Sequence, residues 1–119
     1  MKTHKDLDVW KKSIDFVTHI YEVTKGYPKE ELFGLVSQIR RASVSIPSNI
    51  AEGATRKGKT EFKHFLYIAL ASGSEIETQL IISGNLKYLN IEKQTELLDE
   101  LNTISKMLQG LIKSLVTSN

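Results

Sequence analysis

One segment of the sequence has the spacing of a metal-ligand motif, Glu61-Phe62-Lys63-His64. A Glu-x-x-His element places a carboxylate and an imidazole on one face of a helix. Di-iron bundles use two such elements together with a Glu from each of the other two helices. No second Glu-x-x-His occurs here, and the other histidines, His4 and His19, fall on different segments. We therefore predict no metal site and no cofactor, and we interpret Glu61 and His64 as surface residues.

Motifs of nucleophilic and phosphate chemistry are also missing from the sequence. The chain has no cysteine, which removes thiolate nucleophiles, thiolate metal sites and a disulfide framework. It contains no Gly-rich phosphate loop, no Gly-x-Ser-x-Gly turn and no His-Glu-x-x-His. These observations predict that the protein is not an enzyme and has no small-molecule substrate.

Positive charge is concentrated in the middle of the chain. Residues 40–64 contain six Lys or Arg and two acidic residues, whereas the whole chain has a net charge of only +2. Clustered cations attract phosphates, and the arginine fork suits them especially well. We therefore predict an RNA- or DNA-binding surface. Its candidate residues are Arg40, Arg41, Arg56, Lys57, Lys59 and Lys63.

The polar stretch from Gln38 to Gly53 also has a structural interpretation. Its Ser and Asn side chains can satisfy the backbone groups that Pro47 frees within a helix, and Glu52 can pair with an arginine. On composition alone this structural interpretation is favoured over phosphate binding.

Apolar periodicity predicts a first helix over residues 7–24, ended by Gly26 and Pro28. A second stripe lies beside the predicted core-facing one, so we expect a second face of this helix to be covered. The predicted core stripe is Leu7, Trp10, Ile14, Val17, Tyr21 and Thr24, and the second stripe is Val9, Phe16, Ile20 and Val23. Trp10 and Tyr21 are interpreted as core or interface residues.

The remaining chain predicts three more helices. The second begins at Pro28, is kinked near residues 43–45 by Pro47, and ends at Gly53 before a basic loop. The third runs from Thr60 as N-cap to about residue 89, with small residues at 69–74 that allow close helix packing, and Asn90 caps the fourth.

Glu75 lies on the third helix among small and apolar residues. An unpaired buried carboxylate is costly, so we expect Glu75 to pair with Arg40 or Arg41 at a contact between helices or subunits.

Four amphipathic helices with short connections predict an all-α, antiparallel up-down-up-down four-helix bundle in one domain, residues 1–119. No apolar run has the length of a membrane span, and charged residues interrupt the N-terminal segment, so a secretory signal is not expected. We predict a cytoplasmic protein without a membrane partner.

The polar stretch also carries a resemblance. Through Gln38-Ile39-Arg40-Arg41-Ala42, Asn49-Ile50-Ala51-Glu52-Gly53 and Gly73-Ser74-Glu75, the chain resembles the four-helix-bundle family encoded in intervening sequences of bacterial 23S ribosomal RNA genes. That family is similar to the accessory protein of diversity-generating retroelements. The matching residues run through most of the chain, and they imply structural roles for Gln38, Asn49, Glu52, Gly53 and Glu75.

The resemblance implies a homopentameric barrel of bundles without catalytic activity. In the retroelement relatives it implies a strongly basic barrel that engages nucleic acid and a reverse transcriptase, whereas this chain is only mildly basic. The leading hypothesis is a non-enzymatic oligomer that binds RNA or DNA. The alternative is a protein-interaction scaffold in which Arg40 and Arg41 are structural.

Overall fold

A computed structural model describes residues 3–117 of the chain. Met1, Lys2, Ser118 and Asn119 lie outside the described residues, and so do the two ends of the predicted domain. Within the described range all regular structure is helical. The four α-helices are α1 (Asp8–Thr24), α2 (Leu35–Ala54), α3 (Lys59–Asn85) and α4 (Ile91–Thr117). Short 3-10 turns precede α1 at His4–Asp6 and α2 at Lys29–Glu31.

Contacts between neighbouring helices show that the bundle is antiparallel. Gln94 near the start of α4 donates to the backbone oxygen of Leu80 near the end of α3. The hydroxyls of Ser45 and Ser72 meet at 2.8 Å between the middles of α2 and α3. The bundle measures 49 × 23 × 20 Å, which confirms the predicted helical bundle. No helix of residues 3–117 is long and apolar enough to cross a bilayer.

The core-facing stripe of α1 is not the predicted one. Val9, Phe16 and Ile20 are buried, whereas Ile14 and Tyr21 are each 39% exposed. The buried stripe includes Ser13, whose hydroxyl donates to a backbone oxygen of its own helix at 2.8 Å. Ser13 therefore interrupts the stripe that faces the core. The outward stripe has no such interruption in the sequence, and so it was the one predicted to face the core.

The predicted start of the second helix at Pro28 is wrong. A 3-10 turn follows Pro28, and α2 begins only at Leu35. The carboxylate of Glu31 accepts a hydrogen bond from the Leu35 amide at 3.3 Å, and so satisfies one of the free donors at the start of α2. The same carboxylate accepts the Tyr88 hydroxyl at 2.9 Å, and this contact raises the pKa of Tyr88.

Two boundaries of α3 also differ from the prediction. Gly58, rather than Thr60, is its N-cap, and it ends at Asn85 instead of near residue 89. Lys87, with φ 63°, is the left-handed residue that reverses the chain before α4. The predicted cap of α4 is confirmed, because the Asn90 side chain accepts the Lys93 amide at 2.8 Å.

Pro47 is buried, and α2 continues through it without a break. Asn49 donates to both the backbone oxygen and the hydroxyl of Ser45, at 2.8 and 2.9 Å. These bonds go to Ser45 rather than to the backbone oxygen of Ser43, whose helical donor Pro47 removes.

Candidate nucleic-acid interface

The turn between α2 and α3 carries the densest group of cations. It spans residues 55–58 and contains Arg56 and Lys57, and the first turns of α3 add Lys59 and Lys63. We call these four residues the basic turn. Three of them are exposed and Lys63 is half-buried. They lie at the end of the bundle where α2 ends and α3 begins.

Gly53 sets how closely the two helices meet beside this turn. A Cβ at Gly53 would lie 2.8 Å from the Cβ of Phe65 and 3.2 Å from the backbone oxygen of Phe62. Those atoms belong to α3 and cannot easily move, so only glycine permits this approach. The structural role implied for Gly53 therefore has a direct physical basis.

Arg56 is the anchored member of the basic turn. Its guanidinium lies 2.6 Å from the carboxylate of Glu52 and 3.9 Å from that of Glu61, with its Cζ 5.1 Å from the centre of the Phe65 ring. The predicted pairing of Glu52 with an arginine is thus observed. Within residues 3–117, neither carboxylate forms an ion pair with Lys57 or Lys63.

Glu61 therefore lies close to an arginine of the turn, and His64 packs edge-on against Phe65 with ring centres 5.5 Å apart. In the described part of the chain no three His, Cys, Asp or Glu side chains are grouped closely enough to hold a metal ion.

Arg40 lies far from the basic turn and contacts α1 instead. Its Nε donates to the Thr24 hydroxyl at 2.9 Å, another guanidinium nitrogen donates to the Tyr21 backbone oxygen at 3.3 Å, and its Cζ lies 4.5 Å from the Tyr21 ring centre. Arg40 lies fourteen positions before Ala54, the last residue of α2, a distance of about 21 Å at 1.5 Å per residue. The six candidate cations thus fall into two groups.

Arg41 faces the other side of α2. It lines a polar groove of about 370 Å³ between α2 and α3, together with Gln38, Ala42, Ser45, Ser72 and Glu75. Arg41 and Glu75 share this groove but are not within ion-pair distance of each other, and neither takes part in an ion pair among residues 3–117. The predicted pairing of Glu75 with an arginine is therefore not observed within the described residues of one subunit, and the predicted pairing between subunits stays a prediction.

The outward stripe of α1 forms an apolar groove with α2 that sequence reasoning did not locate. The groove has a volume of about 360 Å³, and His4 stands at its edge with its ring 5.1 Å from that of Trp10. Its apolar lining is Trp10, Ile14, Val17, Val44, Pro47 and Ala51. The only sequence signal was the excess width of the apolar arc on α1.

Comparisons with known proteins agree with this fold. The profile of a family described as 23S rRNA-intervening sequence protein matches residues 5–110. A crystal structure of a protein with unknown function from the S23 ribosomal protein family of Bacteroides thetaiotaomicron is 29% identical in sequence and superposes with a TM-score of 0.82. The match covers 88% of this chain and 95% of that one. No curated protein matches this chain.

Proposed function

This chain belongs to the family of 23S rRNA-intervening sequence proteins, and from that premise we propose that it is a non-enzymatic, oligomeric four-helix bundle that binds RNA or DNA through its basic turn. The observation that carries the proposal is the charge distribution at this turn. Four cations share one end of the bundle, and the two nearby carboxylates both face Arg56. Four cations against two carboxylates leave this end of the bundle positively charged, which attracts an approaching phosphate backbone. The family description names 23S rRNA, so ribosomal RNA is the first ligand to test.

Two different apolar surfaces support the oligomeric part of the proposal. One is the apolar groove between α1 and α2. The other lies near the end of α3, where Ile81 and Ile82 are 46 and 41% exposed. Contact between two unlike patches is heterologous, and such a contact closes into a ring when the rotation between subunits allows it. We propose five subunits, the number that the family resemblance implies. We also place the protein in the cytoplasm, which cell fractionation tests.

A charge-reversal experiment tests the basic turn. The triple variant Arg56→Glu/Lys57→Glu/Lys59→Glu is compared with Lys11→Glu/Lys29→Glu/Lys106→Glu, which changes the net charge equally at exposed positions elsewhere. We expect the first variant to lose binding to 23S rRNA fragments and the second to retain most of it. Equal loss in both variants would show that only overall charge matters, and the specific role of the turn would then be rejected.

A second function, a protein-interaction scaffold, is favoured by the contacts of Arg40. Its guanidinium is already engaged by Thr24 and Tyr21 of α1, which makes Arg40 a structural residue as this alternative requires. The scaffold and the nucleic-acid binder are separated by the same binding assay. A scaffold binds neither structured RNA nor duplex DNA at low salt.

A further inference from the structure

The polar groove between α2 and α3 contains a hydroxyl pair with one unused hydrogen. Asn49 donates to the Ser45 hydroxyl at 2.9 Å, and the Ser45 and Ser72 hydroxyls are hydrogen-bonded at 2.8 Å. Ser45 therefore already accepts from Asn49, and only one of the two serines donates to the other. Whichever serine donates, the remaining hydroxyl hydrogen has no acceptor among the described residues. The floor of the groove thus offers one donor to a ligand.

The two walls of the groove offer opposite chemistry. Arg41 on α2 presents a planar fork of donors, and Glu75 on α3 presents two acceptor oxygens. Gln38 adds an amide at the rim. The groove volume of about 370 Å³ falls within the range of about 300–1,000 Å³ that is typical of small-molecule sites. A ligand that fits both walls needs a pair of acceptors beside a pair of donors.

We propose that the groove between α2 and α3 binds an unpaired guanine base of RNA, with Arg41 donating to its O6 and N7 atoms and Glu75 accepting from its N1–H and N2 amino group. Guanine carries these acceptors and donors along one continuous edge, and Arg is its usual partner at O6 and N7. Adenine offers a lone pair at N1, which a carboxylate repels. Uracil offers only one donor on this edge. Unpaired RNA bases are commonly recognised through such edges.

This inference rests on the proposed RNA binding. It adds that the protein recognises a base of the RNA as well as its phosphates. Arg41 and the basic turn lie on the same helix pair, separated by about 20 Å along α2 at 1.5 Å per residue. A single strand whose phosphates contact the turn can therefore run along the α2–α3 face towards the groove. Phosphate contacts then give affinity, and the groove gives base preference.

The test uses the full-length protein and two ten-nucleotide RNAs, one of uracil only and one with a single central guanine. Binding of each is measured by fluorescence anisotropy. We expect the guanine-containing RNA to bind about tenfold more tightly, which is within the discrimination of one good bidentate contact. Glu75→Gln removes this preference, and the control Glu77→Gln, which changes an exposed carboxylate on the same helix outside this groove, retains it.

A second measurement separates this proposal from the role of the basic turn. Guanosine and adenosine monophosphate are titrated into the protein and followed by NMR at the Gln38, Arg41 and Ser72 amides. Shifts with guanosine monophosphate alone support the groove even when neither RNA binds, and in that event only the function of the turn is rejected. RNA binding without any guanine preference, and equal shifts with both nucleotides, would overturn the guanine site. A change of subunit number in folded Glu75→Gln would also overturn it, because the groove would then be a contact between copies.

Discussion

The Tyr88 hydroxyl donates a 2.9 Å hydrogen bond to the carboxylate of Glu31, and this contact joins the α3–α4 loop to the start of α2. The other oxygen of the same carboxylate accepts the Leu35 amide. The Glu31 side chain therefore stabilises both the α3–α4 loop and the start of α2, at the end of the bundle opposite the basic turn.

The Tyr88→Phe variant tests the hydrogen bond between Tyr88 and Glu31 through the pH dependence of stability. Glu31 raises the pKa of Tyr88 from its ordinary value of 10.0, so the contact stabilises the fold below about pH 10 and is lost as pH rises through the higher folded-state value. We expect the variant to have a lower Tm than wild type at pH 7. That difference shrinks in urea or thermal unfolding at pH 11. A constant difference at both pH values would contradict the assigned contact.

Gly53 and Gly73 are both buried, yet we expect opposite responses to alanine. At Gly53 a Cβ would meet fixed atoms of α3 at 2.8 and 3.2 Å, so Gly53→Ala should lower the free energy of unfolding by about 1–3 kcal/mol. At Gly73 the nearest atoms would be 3.5 and 3.7 Å away, so Gly73→Ala should be neutral or stabilise by up to about 1 kcal/mol. Chemical denaturation of the pair measures both, and similar losses would refute the packing argument.

Arg40 and Arg41 are neighbours in sequence but should differ in their effect on stability. Arg40→Ala removes the hydrogen bonds and ring contact with α1, at a cost of about 1–2 kcal/mol because the side chain is only partly buried. Arg41→Ala removes an exposed side chain without such contacts and should leave Tm nearly unchanged. Thermal melts followed by circular dichroism compare them. An equal fall in Tm for both would place Arg41 in the fold as well.

The apolar groove of α1 and α2 should be required for assembly. Ile14→Glu introduces a charge into its lining, so we expect a smaller particle by light scattering with unchanged helical content. Lys11→Glu, on an exposed position of the same helix, is the matched control and should keep the native mass. An unaltered mass for Ile14→Glu would exclude this groove from the subunit contact.

The sequence predicted four helices and the family, because strong apolar periodicity and the motif from Gln38 to Gly53 survive without tertiary information. It did not identify the core stripe of α1. Two stripes of equal period lay side by side, and Ser13 made the buried one look polar. Nor did it find the late start of α2, where the Leu35 amide is satisfied by the carboxylate of Glu31 from four residues earlier.

The candidate site was predicted only in part for a similar reason. Proximity in sequence grouped Arg40 and Arg41 with the basic turn, but an α-helix separates them along its axis and turns adjacent residues to different faces. Arg40 therefore meets α1, and Arg41 meets the groove beside α3. Only the packed helices show this division.

The salt dependence of binding tests the central claim, that the basic turn binds nucleic acid phosphates, most directly. The association constant for a short single-stranded RNA is measured from about 50 to 200 mM salt. With four phosphate contacts, the logarithm of the association constant should fall with the logarithm of the salt concentration at a slope of about −3. A variant that lacks the charges of Arg56, Lys57 and Lys59 should have a slope close to −1. A wild-type slope near zero, or a slope unchanged in that variant, would contradict the account.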